Sequence, residues 1–154
     1  AMNITTKSKY ALRAVIHLAR QENGVIRRED LASAQGGISA VYLEKILLRL
    51  REKNLVTAKS GPGGGYRLAR PASEITAWDI IHAVEDSPEP VMCLGEDTPA
   101  CETDCDAKAF WARVWNAAVH EMKKATLSSL AAAGQEGEPA LHDPEHNPDL
   151  APCR

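Results

Sequence analysis

The stretch Gly61-Pro62-Gly63-Gly64-Gly65 limits the fold of this chain more than any other. Four glycines and a proline in five residues do not lie inside a helix or a central strand. Glycine gives up the most backbone freedom on ordering, and proline has no N–H to donate. They must form a tip. On either side, Val56 to Lys59 and Tyr66 to Leu68 read as short strands, so the tip closes a hairpin. The composition is that of a phosphate-binding loop, but no Lys-Ser/Thr pair follows and no helix opens after it, which argues against nucleotide binding. A glycine-rich tip lays bare backbone amides that suit the phosphates of a nucleic acid. A hairpin tip without a ligand is the alternative.

Helical periodicity fills the chain before the hairpin. Thr5 and Thr6 are candidate caps for a first helix whose apolar positions Ala11, Ala14, Val15 and Leu18 follow helical spacing, with Asn23-Gly24 as its stop. A short second helix spans Arg28 to Gln35 and buries Leu31 and Ala32. Gly36-Gly37 forces a turn, Ser39 caps a third helix, and Leu43, Ile46, Leu47 and Leu50 form one stripe on it. Two helices joined by a glycine-bearing turn make a helix-turn-helix, and the appended hairpin makes it winged. After Pro71, Ser73 is the expected cap of a fourth helix carrying Ile75, Trp78, Ile80, Ile81 and Val84. Trp78 and His82 lie one turn apart on it, and a lone histidine there reads as a surface or interface residue.

The charge is divided along the chain. Residues 1–70 hold 13 Lys and Arg against 5 Asp and Glu, whereas residues 71–154 hold 5 against 16. A basic half points to a polyanionic partner, double-stranded DNA above all, with a solvated basic face as the alternative. No run of apolar residues is long enough for a membrane span and no apolar leader is present, so a cytoplasmic protein with no membrane partner is expected. No nucleophile–base constellation appears and the histidines are scattered, so no enzyme is expected.

Cys93, Cys101 and Cys105 fall within thirteen residues of a polar, acidic segment that Pro88 and Pro90 introduce. Such a segment lacks apolar anchors, and metal coordination can order what burial cannot. Glu102, Asp104 and Asp106 crowd Cys101 and Cys105 and oppose thiolate formation, which favours metal-held over free reactive thiols. Cys153 stands apart. From Asp106 a long helix is expected, with Phe110, Trp111, Val114, Trp115, Ala118 and Met122 along one face. A small winged helix has little interior left for that stripe, so Trp111, Val114, Trp115, Ala118 and Met122 are assigned to a homodimer interface, with packing inside one chain as the alternative. Thr126 caps a last turn through Leu130. The expected organisation is a DNA-binding domain over 2–86, a sensor loop over 87–108, a dimerisation helix and terminal turn over 109–133, and a disordered acidic tail over 134–154.

Lys7-Ser-Lys-Tyr-Ala-Leu-Arg13, Tyr42-Leu-Glu-Lys45, Gly61-Pro-Gly-Gly-Gly-Tyr66 and three cysteines ahead of Ala109-Phe-Trp111 resemble the family of IscR, NsrR, RirA and CymR. The resemblance covers residues 2–132. It implies a mainly α, dimeric, winged helix-turn-helix transcription regulator, with an iron–sulfur cluster on three loop cysteines in many members. It implies that the third helix reads the major groove and the wing approaches the minor groove. Cys93, Cys101 and Cys105 match the cluster cysteines, and Ser39, Tyr42 and Glu44 fall where members touch DNA. Lys45 and Arg49 on the same helix, and Lys59, Ser60, Gly61 and Gly63 at the wing, complete the residues assigned to DNA. The chain departs from the pattern in four places. Its cysteines are spaced seven then three residues apart, where IscR and NsrR use five and five. Lys108 stands where IscR offers a histidine ligand, and Lys9 where NsrR offers an aspartate. Ser60 stands where IscR has a wing arginine. The fourth cluster ligand is therefore open among Glu102, Asp104, Asp106, a solvent species and the partner chain. Two other readings remain: a regulator of the same fold switched by thiol oxidation or zinc, and an interaction module for a sulfur-metabolism enzyme.

Overall fold

A computed structural model describes residues 4–21, 24–86, 88–90, 94 and 106–133 of the chain. The elements in order are α1 (Thr6–Ala19), α2 (Arg28–Ala34), α3 (Ala40–Glu52), β1 (Val56–Lys59), β2 (Gly65–Leu68), a 3-10 turn (Ala72–Glu74), α4 (Ala77–Val84), α5 (Lys108–Lys124) and α6 (Leu127–Ala133). The fold is mainly helical with one two-stranded antiparallel sheet, a winged helix-turn-helix.

The expected stripes form the core. Ala11, Ala14, Val15 and Leu18 of α1, Leu31 of α2, and Leu43, Ile46, Leu47 and Leu50 of α3 are buried in one cluster with Ile75, Ile80, Val84 and Leu127. Each large aliphatic side chain removed from water contributes about 1.5–3 kcal/mol before ordering costs, so this cluster holds the reader together. Gly36 and Gly37 sit at φ +84° and +78°, the left-handed turn that separates α2 from α3. Ser39 caps α3 through its Oγ, which accepts from the Tyr42 amide. At the other end of α3, Asn54 is left-handed, its amide bonds Arg51 oxygen, and the Leu55 amide bonds Leu50 oxygen. This is a Schellman stop with asparagine in place of glycine, sealed by the buried Leu55.

Several boundaries differ from those expected. The first helix ends at Ala19 with Arg20 as its cap, ahead of Asn23-Gly24, of which Asn23 lies outside the described residues. The cap of α4 is Thr76, not Ser73: Thr76 Oγ1 accepts from the Asp79 amide and Asp79 Oδ2 accepts from the Thr76 amide, a reciprocal capping box. Ser73 belongs to the 3-10 turn that precedes it. The long helix begins at Lys108 after a turn at Asp106, and α6 runs beyond Leu130 to Ala133 with the Thr126 hydroxyl capping it through the Ser129 amide.

Two bridges that periodicity cannot reveal tie the layers. Ile26 pairs with Tyr66 through both backbone hydrogen bonds, which docks the chain before α2 onto the wing. Ala77 N–H donates to Ala125 oxygen and Leu127 N–H to Ile75 oxygen, which anchors the α5–α6 junction against the start of α4.

Candidate nucleic-acid interface and its link to the cysteine segment

The outward face of α3 carries the residues assigned to DNA. Tyr42, Glu44, Lys45 and Arg49 are exposed, while Ser39 sits at the helix start with its hydroxyl still able to donate while it caps. Tyr42 meets Tyr10 of α1 edge to face at 6.2 Å, which holds the ring beside the helix start. Val41 and Leu48, 63% and 44% exposed, stand on the same face. Sequence reasoning passed over both because apolar residues on a helix are first assigned to the core. The signal was present, since neither falls on the Leu43–Ile46–Leu47–Leu50 stripe.

The two carboxylate–guanidinium pairs on this face were also missed. Glu44 Oε2 accepts from Arg28 Nη1 at 2.7 Å, and Arg28 also holds Glu29 Oε1 through Nη2 at 2.9 Å. Arg49 Nη1 donates to Asp86 Oδ1 at 2.7 Å, so the guanidinium assigned to phosphate is already engaged within the chain.

The wing tip closes tightly. Gly64 N–H donates to Gly61 oxygen at 2.9 Å, and a Cβ on Gly64 would collide with the Lys59 carbonyl oxygen. Gly61 and Gly63 have φ of +87° and +71°, so the tip conformation itself demands glycine. Lys59 and Ser60 are exposed beside it.

Cys93, Cys101, Cys105 and Cys153 lie outside the described residues, as does the tail over 134–154. Among the described residues no group of three or more His, Cys, Asp or Glu side chains could hold a metal ion. The residues from which the cysteine segment departs are described, and they are firmly held. Glu85 is buried at the end of α4, and its Oε1 accepts from the Thr5 amide at 2.8 Å, the Thr5 hydroxyl at 2.7 Å and the Ser8 hydroxyl at 2.7 Å. Lys7 Nζ lies 3.5 Å from its other oxygen. Burial pushes this carboxyl up, but the hydrogen bonds from Ser8 and Thr5 and the charge of Lys7 outweigh it and hold the group below its ordinary value. Asp86 follows directly. Its carboxyl is held low, first by the hydrogen bond from Arg49 and then by the charges of Arg49 and Lys7. Two adjacent carboxylates thus join the start of α1 and the reader helix α3 to the point where the cysteine segment begins.

On the other side of that segment, α5 packs against α4. Trp115 is only 8% exposed, and it is covered by its own chain: its ring meets Trp78 edge to face at 5.9 Å, and Trp78 in turn contacts His82 and the Lys123 ammonium. Helical spacing places Trp111 and Trp115 on one face, but their surroundings differ. Phe110 and Trp111 are 50% and 37% exposed and touch each other at 5.2 Å, while Val114, Ala118 and Met122 are half-buried. Trp115 is the only buried residue of the seventeen in α5.

Comparison with known proteins accords with this architecture. Residues 4–133 match the Rrf2 family, described as "Iron-dependent Transcriptional regulator". The chain is 31% identical over 154 residues to the HTH-type transcriptional regulator IscR of Cronobacter sakazakii, covering 99% of this chain and 93% of that protein. It is 34% identical over 130 residues to the IscR of an Escherichia coli strain, covering 84% and 80%. Among solved structures, CymR, the global cysteine regulator of B. subtilis, superposes with a TM-score of 0.73 at 31% identity, covering 86% of this chain and 98% of that one. The IscR of T. potens superposes with a TM-score of 0.73 at 27% identity, covering 91% and 93%. The chain belongs to the Rrf2 family of winged helix-turn-helix transcription regulators. It is IscR-like, and its relatives are regulators rather than enzymes. No helix among the described residues is long and apolar enough to cross a membrane.

Proposed function

We propose that this chain is a cytoplasmic, homodimeric DNA-binding regulator whose DNA affinity is set by an iron–sulfur cluster on Cys93, Cys101 and Cys105. The observation that carries the reading is the Glu85–Asp86 node. It couples α1 and the reader helix to the residue from which the cysteine segment departs, so ordering of that segment acts on α3 through Arg49.

Three thiolates are the soft donor set such clusters take, and when bound the cluster supplies a redox-sensitive, removable constraint on the segment. The fourth ligand is unassigned. Asp106, exposed at the turn before α5, follows Cys105 directly in the sequence and is a candidate beside Asp104. The node then biases the two readers of a dimer between arrangements, and only a difference in ligation between those arrangements can change DNA affinity. Dimerisation is supported by the exposed Phe110 and Trp111 on α5, which a second copy of that helix would cover. DNA contact is assigned to Ser39, Tyr42, Glu44 and Lys45 of α3 and to Lys59, Ser60, Gly61 and Gly63 of the wing, with Arg49 reaching phosphate when Asp86 releases it.

One finding favours a second reading. A similar solved structure, 32% identical with a TM-score of 0.69, is CymR of Staphylococcus aureus in an oxidized form, which keeps a cluster-free thiol switch in view. Both readings are tested by measuring affinity for genomic DNA fragments with anaerobic protein before and after cluster removal. The cluster reading expects a twofold-symmetric site, a linear fall of log affinity with log salt, and a change in affinity when iron is removed. Affinity that follows thiol oxidation and ignores iron would favour the second reading.

A further inference from the structure

The pair between Arg28 and Glu44 sits on the reading face and holds the one acidic side chain that faces outward in the first half of α3. A bare carboxylate there meets two difficulties. Its charge is repelled by the DNA phosphates, and its rotatable bonds leave the oxygens without a fixed direction. Arg28 answers both. Its guanidinium is itself fixed, because Nε and Nη2 donate to Glu29 Oε1 at 3.2 and 2.9 Å while Nη1 takes Glu44 Oε2 at 2.7 Å. The planar fork therefore bridges two carboxylates from two helices and sets the angle at which Glu44 leaves α3. Oε2 is the oxygen so held, which leaves Oε1 of this half-exposed side chain as an acceptor.

We propose that Arg28, which lies on α2 and outside the reading helix, is a positioning residue for sequence specificity: it aims the Glu44 carboxylate at a base edge in the major groove. The base edge such an acceptor selects is the exocyclic amine of cytosine or adenine, with cytosine N4 the better match for a carboxylate. The inference rests on the DNA-reading function proposed above and adds the residue that makes Glu44 selective. A lysine could supply the same charge from this position, but as a point donor it cannot fork between Glu29 and Glu44, so charge and aim are separable.

The test compares wild type, Arg28→Lys, Arg28→Ala, Glu44→Ala and the Arg28→Ala/Glu44→Ala double variant of the full chain. Each is measured against a selected operator and against operators changed one base pair at a time. Wild type should prefer one base at a single position in each half-site by about tenfold or more, and Glu44→Ala should abolish that preference. Arg28→Lys should bind the preferred operator within about threefold of wild type at matched salt yet lose most of the preference at that one position. Arg28→Ala should lose the same preference and also weaken binding to every sequence at low salt. In the Glu44→Ala background, Arg28→Ala should leave the base profile unchanged. Selective binding by wild type that Arg28→Lys leaves intact would overturn the inference while leaving the DNA reading standing. A change in base profile on removing Arg28 in the absence of Glu44 would overturn it too. Wild type that shows no sequence-selective binding at all would remove the DNA reading and this inference together.

Discussion

The reader helix α3 and the helix α5 are similarly apolar in sequence, yet they are finished to different degrees. In α3, a thirteen-residue helix, Leu43, Ile46, Leu47 and Leu50 are all buried by the chain's own elements. In α5, a seventeen-residue helix, only Trp115 is. The reader helix buries its whole apolar stripe and leaves only Val41 and Leu48 on its outward face, whereas α5 buries Trp115 alone and presents Phe110 and Trp111 to solvent. The difference is one of partners: α3 lies between α1, α2, α4 and the wing, while α5 has α4 on one side. A helix with one face satisfied and an aromatic face open is the form expected of half an interface.

The largest effect should come from damaging the finished half. Leu47→Ala should remove about 2–5 kcal/mol of stability, read by urea denaturation, because it opens a cavity among side chains that cannot collapse into it. The two tryptophans of α5 should then separate. Trp115→Ala should lower the stability of the folded chain by about 3 kcal/mol, since its ring packs on Trp78 within the same chain. Trp111→Ala should leave that stability nearly untouched but weaken the dimer by about thirtyfold in sedimentation equilibrium, the scale of an interface hot spot. Equal effects of the two substitutions on chain stability, with none on assembly, would break the contrast.

Glu85 sharpens the comparison, because it is the buried charge inside the reader that ties the end of α4 to the start of α1. Glu85→Gln should cost about 2 kcal/mol, as the hydrogen bonds from Thr5 and Ser8 lose a charged acceptor. Its carboxyl is held below the ordinary value of 4.5, so the stability it contributes is fully present above that pH. It is lost as the pH falls through the lower value of the folded state, because the unfolded chain then takes up a proton that the folded chain refuses. Thermal unfolding should therefore lose part of its acid sensitivity below pH 4.5 in Glu85→Gln. The smallest effect on stability, and one on function alone, is expected from the exposed neighbour. Asp86→Asn should leave the melting temperature unchanged but free Arg49, raising affinity for DNA a few-fold at low salt and reducing the difference between iron-loaded and iron-free protein.

Much of the reader was legible because its signals are local. The helical stripes, the paired glycines before Ser39 and the glycine-rich tip each declare their conformation within a few residues. The misplacements also have local causes. Ser73 and Thr76 are both good caps, and only the reciprocal bond with Asp79 decides for Thr76. What could not be read was long-range. Ile26 pairs with Tyr66 forty residues away, and Glu85 takes its donors from Thr5 and Ser8 at the opposite end of the domain. At the reading face, the resemblance puts Glu44 forward for DNA contact, but the partners Arg28 and Asp86 of Glu44 and Arg49 come from other elements and appear only when the chain is folded. The same limit applies to Trp115, whose cover is Trp78 from α4.

The proposed regulation turns on an iron–sulfur cluster held by Cys93, Cys101 and Cys105. It is tested most directly by purifying the full chain without oxygen and measuring visible absorption with iron and acid-labile sulfide content. Wild type, Cys93→Ser, Cys101→Ser, Cys105→Ser and Cys153→Ser are compared. A coloured wild type with iron and sulfide in matching amounts is expected, with loss of colour and both elements in each of the first three variants and no change in Cys153→Ser. Wild type that contains zinc or no metal, or a Cys101→Ser variant with an unchanged spectrum, would contradict it.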